Sequence, residues 1–115
     1  MDWTYIYAKG IPIESQYLYR RALELSKLGK YETALRYFRQ AVVIAPRYST
    51  ALYEIGNCLL KLEQFDEAIA YYSRALEIDP HNTEAQVKRD TALQYSQSNN
   101  TGHKFFEKSN FLPSQ

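Results

Sequence analysis

The sequence predicts an all-α protein made of antiparallel helix hairpins that stack side by side. One sign is the spacing of its prolines, since Pro12, Pro46 and Pro80 follow one another at intervals of 34 residues. Another is that segment 15–48 recurs in segment 49–82, with many identical residues in the same order. A period near 34 residues is typical of arrays of helical hairpins, which bury their apolar faces against one another.

The apolar residues of both segments follow a helical period, with two stripes in each segment. The stripes are Leu18, Ala22, Leu25 and Ala34, Phe38, Ala41 in the first segment, and Leu52, Gly56, Leu59 and Ala68, Tyr72, Ala75 in the second. Small residues allow two helices to approach closely, and the large rings fill the space beside them. The pattern predicts helices over 14–28, 31–44, 48–62, 65–78 and 82–96.

The predicted helix ends carry suitable local signals. Gly29 ends the first helix well, since glycine adopts the left-handed conformation at low cost. Glu63 holds the equivalent place in the second segment, where a side chain makes that conformation less favourable. Asn82 is a suitable N-cap for the fifth helix, and Glu84 complements the dipole of its first turn. The fifth helix is apolar on one side only, so we expect it to cover the last hairpin.

This pattern resembles the tetratricopeptide repeat (TPR) family, whose signature combines Leu and small residues in a first helix with Ala-x-x-x-Phe and a final proline. The matching residues are Leu18, Ala22, Leu25, Ala34, Phe38 and Pro46 in repeat one (15–48), and Leu52, Gly56, Leu59, Ala68, Tyr72 and Pro80 in repeat two (49–82). Arg21 departs from the signature, which has an apolar residue there. A terminal repeat has a more exposed outer face, which would accommodate the charge. The resemblance implies hairpins stacked in a right-handed superhelix.

The chain divides into three parts. Residues 1–12 are an N-terminal extension, which fits the degenerate end of the second helix of a preceding repeat. Residues 13–97 are the repeat domain, closed by a capping helix at 83–97. Residues 98–115 are a polar linker and an aromatic tail.

The tail carries four large apolar side chains, namely Phe105, Phe106, Phe111 and Leu112. The tail could be a degenerate third repeat or an extended or briefly helical segment, and the sequence leaves both interpretations open. Exposing four such side chains together would favour association. We therefore expect them to anchor the tail on an apolar surface, either of the same array or of a neighbouring copy.

Composition argues against several classes of partner. The net charge is +1, so no strong field attracts nucleic acid or an anionic membrane. No apolar run is long enough to span a bilayer, and the first residues lack the basic region of a signal peptide. Cys58 is the single cysteine, which excludes an internal disulfide and favours a reducing compartment such as the cytoplasm.

The sequence contains no recognisable catalytic or metal-binding constellation. His81, His103 and Cys58 lack the spacing of a metal site or of a nucleophile with its base. Asp66 and Glu67 open a helix, where their charges complement the dipole. We therefore expect a protein without enzymatic activity, metal or cofactor.

The resemblance implies that the first helix of each repeat lines a concave groove that binds ligands. Carried over by position, the groove residues are Tyr19, Leu23 and Lys27 in repeat one, Tyr53, Asn57, Leu60 and Lys61 in repeat two, and Val87 on the fifth helix, to which Glu84, Thr91 and Tyr95 of the same helix are added. Tyr19 and Tyr53 are one period apart, so their rings should line up along the groove. Ordinary packing between helices is the alternative role for both rings.

Chaperone-binding members of the family share a clamp of Lys, Asn and Arg side chains that holds an acidic C-terminal tail. Its places are taken here by Tyr19, Leu23, Glu54, Glu84 and Lys88. Only Lys88 keeps the positive charge, and the two glutamates would repel an acidic tail. The clamp is therefore not expected to operate in this chain.

Two function classes remain open. The first is an adaptor that binds a neutral, aromatic or aliphatic peptide or protein segment in the groove. The alternative is a structural module that self-assembles into a homo-oligomer, by docking its tail or an array end on another copy. Nucleic-acid binding is disfavoured by the near-zero net charge.

Overall fold

The structure is a computed structural model that describes the backbone of residues 7–8 and 10–111 and the side chains of residues 10–98. The described residues form five helices, preceded by two short strands. The helices are α1 (Ile13–Lys27), α2 (Tyr31–Ile44), α3 (Ser49–Lys61), α4 (Phe65–Ile78) and α5 (Thr83–Phe111). The predicted fold class, stacked antiparallel helix hairpins, is confirmed.

The helices form two hairpins and a closing helix. The helix pairs α1–α2 and α3–α4 are the hairpins, α2 packs on α3, and α5 packs on α4. The largest fully buried side chains of the core are Tyr72, Phe38, Leu52, Ile55 and Leu59. Phe38, Tyr72, Leu52 and Leu59 belong to the predicted apolar stripes, and Ile55 is a further buried residue of α3. Burial of these side chains holds the helices of the two hairpins together.

The same ring pair recurs in both hairpins. The ring centroids of Tyr19 and Phe38 are 5.7 Å apart, and those of Tyr53 and Tyr72 are 5.8 Å apart. Both pairs are tilted, an arrangement that aromatic rings favour. Tyr19 and Tyr53 therefore have the packing role that was the alternative for them, although both rings also stay partly exposed.

The helix ends follow the predicted local signals. Gly29 and Glu63 end their hairpin turns with φ of 78° and 61°, so both occupy the left-handed region. The backbone N–H of Ala85 donates to Asn82 Oδ1 at 3.0 Å, which is the predicted N-cap of α5. This cap satisfies one of the N–H groups that the first turn of a helix leaves without a partner.

The N-terminal extension differs from the expected end of a helix. Strand β1 (Tyr7–Ala8) pairs antiparallel with strand β2 (Ile11–Pro12), in a register that places Tyr7 opposite Pro12. Gly10 lies between the strands with φ of 81°, a conformation that glycine adopts without a side-chain penalty. The turn at this glycine explains why residues 10–12 do not continue a helical pattern, and residues 1–6 and 9 of the predicted extension lie outside the described residues.

The closing helix α5 is longer than the predicted helix at 82–96. It continues to Phe111, through residues expected to form a linker. The segment after Pro80 has no further proline until Pro113, so no residue there removes a helical hydrogen bond. Phe105, Phe106 and Phe111 fall on α5, but their side chains lie outside the described residues, as does Leu112 altogether. Docking of the tail therefore stays a prediction.

None of the described helices combines the length and the apolar character that crossing a membrane requires.

Candidate functional site

The predicted groove residues lie on α1 and α3, the first helices of the two hairpins, and on the closing helix α5. Most have an intermediate exposure, which leaves part of each side chain free for a ligand. Tyr19, Leu23, Tyr53, Asn57 and Leu60 are half-buried, whereas Lys27, Lys61 and Val87 are exposed. Partly buried side chains are held in place by their packing and still present a surface.

A polar network anchors the centre of this face in repeat two. The Tyr72 hydroxyl donates to Asn57 Oδ1 at 2.6 Å, and Asn57 Nδ2 donates to Glu54 Oε1 at 3.3 Å. The Asn57 amide has two N–H donors and an oxygen with two lone pairs. These two bonds orient the Asn57 side chain and leave one lone pair of its Oδ1 for a ligand.

Glu54, on α3, lies near charged residues of α5. Burial raises the pKa of Glu54, and the hydrogen bond from Asn57 lowers it. The negative charge of Glu84 raises this pKa further, whereas the positive charge of Lys88 lowers it. The net shift is upward. The structure thus brings together Glu54, Glu84 and Lys88, which occupy clamp positions.

The raised pKa of Glu54 predicts a pH-dependent stability. The folded state binds the proton of the Glu54 carboxyl group more tightly than the unfolded state does. Protonated Glu54 therefore adds to the free energy of unfolding at acid pH, and this contribution is lost as pH rises through the folded pKa. Glu54→Gln keeps an acceptor for Asn57 and removes the charge, so it should raise the thermal midpoint at pH 7 but not at pH 3. Melting curves across this range test it, with the exposed Glu77→Gln as the control. Parallel profiles for wild type and Glu54→Gln would contradict the assignment.

A cavity of about 530 Å³ opens between the end of α3, the start of α4 and the middle of α5. Its lining residues are Leu60, Lys61, Glu63, Phe65, Lys88, Thr91 and Tyr95. The rings of Phe65 and Tyr95 stack at one side of it, with centroids 5.4 Å apart. The volume suits one or two side chains of a peptide, and the lining offers both apolar surface and hydrogen-bonding groups.

The cavity includes two predicted groove residues, Leu60 and Lys61, and two that the prediction missed, Glu63 and Phe65. A signal for Phe65 was present, because repeat one has the aromatic Tyr31 at the equivalent position. A smaller hollow of about 270 Å³ adjoins through Lys88 and contains the predicted Val87. Tyr19, Leu23 and Lys27 lie further along the face, on α1.

The opposite side of the array has a more polar cavity of about 510 Å³, where α2 meets α4 and the turn before it. Arg36 and Arg39 line it, and Arg39 pairs with Glu67 at 3.8 Å. Both partners of this ion pair are well exposed, so it adds little stability. A variant on this surface can therefore serve as a control when binding to the other side of the array is measured.

Cys58 is buried between the hairpins and is expected to be unreactive. Burial raises the pKa of the Cys58 thiol to about 11, with a smaller opposing effect from a hydrogen bond to Ser26. The thiolate is the reactive form, so little of it exists at neutral pH. An aromatic disulfide reagent should label folded protein far more slowly than protein in denaturant. Equal labelling rates in the two states would contradict this burial.

Metal ligands do not cluster in the part of the chain that the structure describes, since no three His, Cys, Asp or Glu side chains there form a group that could hold an ion.

Comparison with known proteins gives the same architecture. Residues 19–83 match the family model described as tetratricopeptide repeat. Among solved structures, the second TPR domain of Spaghetti (RPAP3), bound to the HSP90 peptide SRMEEVD, superposes with a TM-score of 0.72 at 21% sequence identity. The alignment covers 86% of this chain and 92% of that domain. The search of curated proteins found no match.

Sequence period, paired hairpins and recurring ring pairs thus agree with a family model that spans more than half of the chain. The protein belongs to the tetratricopeptide repeat family.

Proposed function

We propose that this chain is a non-catalytic adaptor that binds an extended peptide or protein segment along the face formed by α1, α3 and α5. The observation that carries the proposal is the cavity beside Leu60, Thr91 and Tyr95, which lies next to half-buried groove side chains. Helical-repeat arrays use such concave surfaces for recognition. Aromatic rings suit this role because they offer large contact area with few rotatable bonds.

The charges on this face favour a segment that is not strongly acidic. Lys61 and Lys88 line the cavity, but Glu54 and Glu84 lie beside Lys88. The mixture leaves no cluster of cations for a row of carboxylates. The Spaghetti domain was solved with a peptide that ends in Glu-Glu-Val-Asp. This chain lacks most of the cationic clamp at the corresponding positions, so we propose a different, neutral and aromatic or aliphatic ligand.

Asn57 would contribute a hydrogen bond to such a segment. The remaining lone pair of its Oδ1 suits a backbone N–H of the ligand, since each peptide unit offers such a donor. Backbone recognition by Asn57 with side-chain recognition in the cavity would select sequence at one or two positions only. The buried Cys58 thiol fits a reducing compartment, and we propose the cytoplasm as the location.

A peptide-library selection tests this function. The intact chain is the bait, and selected peptides are compared for binding to the wild type, to Tyr53→Ala with Leu60→Ala, and to Arg36→Ala on the opposite side. We expect aromatic or aliphatic residues to be enriched, binding to be lost only in the groove variant, and affinity to change little with salt. Peptides that bind all three proteins equally would refute the groove model.

The peptide SRMEEVD serves as a negative probe in the same assay. We expect a dissociation constant weaker than about 1 mM, because Glu54 and Glu84 oppose its carboxylates. Tight binding of SRMEEVD would refute the proposed ligand class while leaving the location of the groove open to the variants above.

A further inference from the structure

The first helix leaves one face without a partner in the described part of the chain. Tyr17, Arg21, Glu24 and Leu28 are spaced by four, three and four residues, so they share one face of α1 and of the residue that caps it, Leu28. Tyr17 is 68% exposed and Leu28 is 70% exposed. The side chains of Arg21 and Glu24 are 51% and 69% exposed. We call these four residues the edge stripe.

The repeat shows what this face does elsewhere in the same array. Shifted by one period, the edge stripe becomes Ala51, Ile55, Cys58 and Leu62 on and just after α3. Ala51, Ile55 and Cys58 are at most 1% exposed, because this face of α3 packs on the preceding hairpin. The edge stripe thus lies on the face of α1 against which a preceding hairpin would pack in a longer array.

The edge stripe is complementary to itself. Its midpoint falls between Ala22 and Leu23, and Tyr17 and Leu28 lie equally far from that midpoint on either side. Arg21 and Glu24 are also equidistant from it. A two-fold axis through the midpoint would therefore set Tyr17 against Leu28 of a second copy, and Arg21 against its Glu24. A two-fold contact of this kind always pairs each residue reciprocally.

We propose that the edge stripe is a homodimer contact, in which α1 packs antiparallel on α1 of a second copy. Two apolar pairs at the ends would flank two ion pairs at the centre. Arg21 already lies 3.5 Å from Glu24 in its own helix. In the dimer the four charges would form a closed square of alternating sign. This contact uses a face of α1 other than the groove, so it is independent of the proposed ligand site.

The charge pattern explains why a second copy suits this face better than an ordinary repeat does. A preceding repeat buries apolar side chains at these positions, as Ile55 and Cys58 show. Burying Arg21 and Glu24 there would need a partner with opposite charges in the reverse order. A second copy supplies that order. The contact is small, and interfaces below about 1,000 Å² are commonly weak or transient.

Analytical ultracentrifugation of the intact chain tests the proposal. Sedimentation is measured up to concentrations on the order of 100 µM, because the contact is small. We expect a reversible monomer–dimer equilibrium for the wild type. Arg21→Glu and Glu24→Arg should each weaken dimerisation by about tenfold or more, because each replaces two attractive pairs by two repulsive ones. Glu77→Arg, on the exposed surface of α4, should leave the equilibrium unchanged.

The decisive sample is an equimolar mixture of the two single variants. Arg21→Glu presents two carboxylates and Glu24→Arg presents two cations, so the mixture should dimerise where each variant alone does not. The double variant Arg21→Glu with Glu24→Arg restores alternating charges and should dimerise by itself. Circular dichroism confirms that each variant is folded. A wild type that stays monomeric, or a mixture that associates no better than its components, would overturn the proposal.

Discussion

Tyr72→Ala should lower the free energy of unfolding by about 3–5 kcal/mol, as is usual when a buried aromatic side chain is removed. Tyr72 is fully buried and packs its ring against Tyr53. The truncation would empty the space between the two helices of the second hairpin. It would also remove the hydroxyl that donates to Asn57 Oδ1. Such a loss is a large fraction of the 5–15 kcal/mol that stabilise a typical domain.

Two further variants serve as comparisons, one for the hydroxyl of Tyr72 and one for the loss of a neighbouring ring. Tyr72→Phe removes only the hydrogen bond and should cost about 1 kcal/mol. Tyr71→Ala changes the adjacent residue, whose ring is half-buried under Arg74, and should cost clearly less than Tyr72→Ala. Urea denaturation followed by circular dichroism gives all three values. A Tyr72→Ala loss no greater than that of Tyr71→Ala would show that the ring is not a core element.

Gly56→Ala should destabilise the fold although alanine is the better helix former. A methyl group on Gly56 would lie 2.6 Å from Cε1 and 2.7 Å from Cδ1 of Tyr72. That ring is buried and tethered to Asn57, so it cannot move away freely. The helix preference favours alanine by about 1 kcal/mol, whereas overpacking costs about 1–3 kcal/mol. The difference is a net loss of about 1 kcal/mol, measured by the same denaturation.

Repeat one suggests how to rescue that variant. It has Ala22, Leu23 and Phe38 at the positions that hold Gly56, Asn57 and Tyr72 in repeat two. Gly56→Ala combined with Asn57→Leu and Tyr72→Phe recreates the first set, without the hydroxyl and its acceptor. We expect this triple variant to be more stable than Gly56→Ala alone. A stabilised single variant, or a triple variant with no recovery, would show that the three positions do not act together.

The helices could be predicted from sequence because their signals are local and are repeated. Each stripe appears twice, so a chance pattern in one repeat is checked by the other. Gly29 and Asn82 mark their boundaries by backbone chemistry that needs no distant partner. The end of α5 was missed because polar residues without proline permit a helix as readily as a linker.

The candidate site was less accessible from sequence because its geometry depends on partners far apart in the chain. The hydrogen bond from Tyr72 to Asn57 joins residues fifteen positions apart. Periodicity places both residues, but not their orientation towards each other. The stack of Phe65 on Tyr95 likewise needs the angle between α4 and α5. The one sign in the sequence of the hydrogen bond between Tyr72 and Asn57 is that three positions change together between the repeats. Repeat one has Ala22, Leu23 and Phe38 where repeat two has Gly56, Asn57 and Tyr72.

The most direct test of ligand binding on this face is nuclear magnetic resonance of the isotope-labelled chain, titrated with a peptide from the library selection. Backbone amide shifts report which residues sense the ligand. We expect the largest changes at Leu23, Tyr53, Leu60 and Thr91, on the face formed by α1, α3 and α5. Changes concentrated around Arg36 and Arg39 on the opposite side, with the groove amides unmoved, would contradict it.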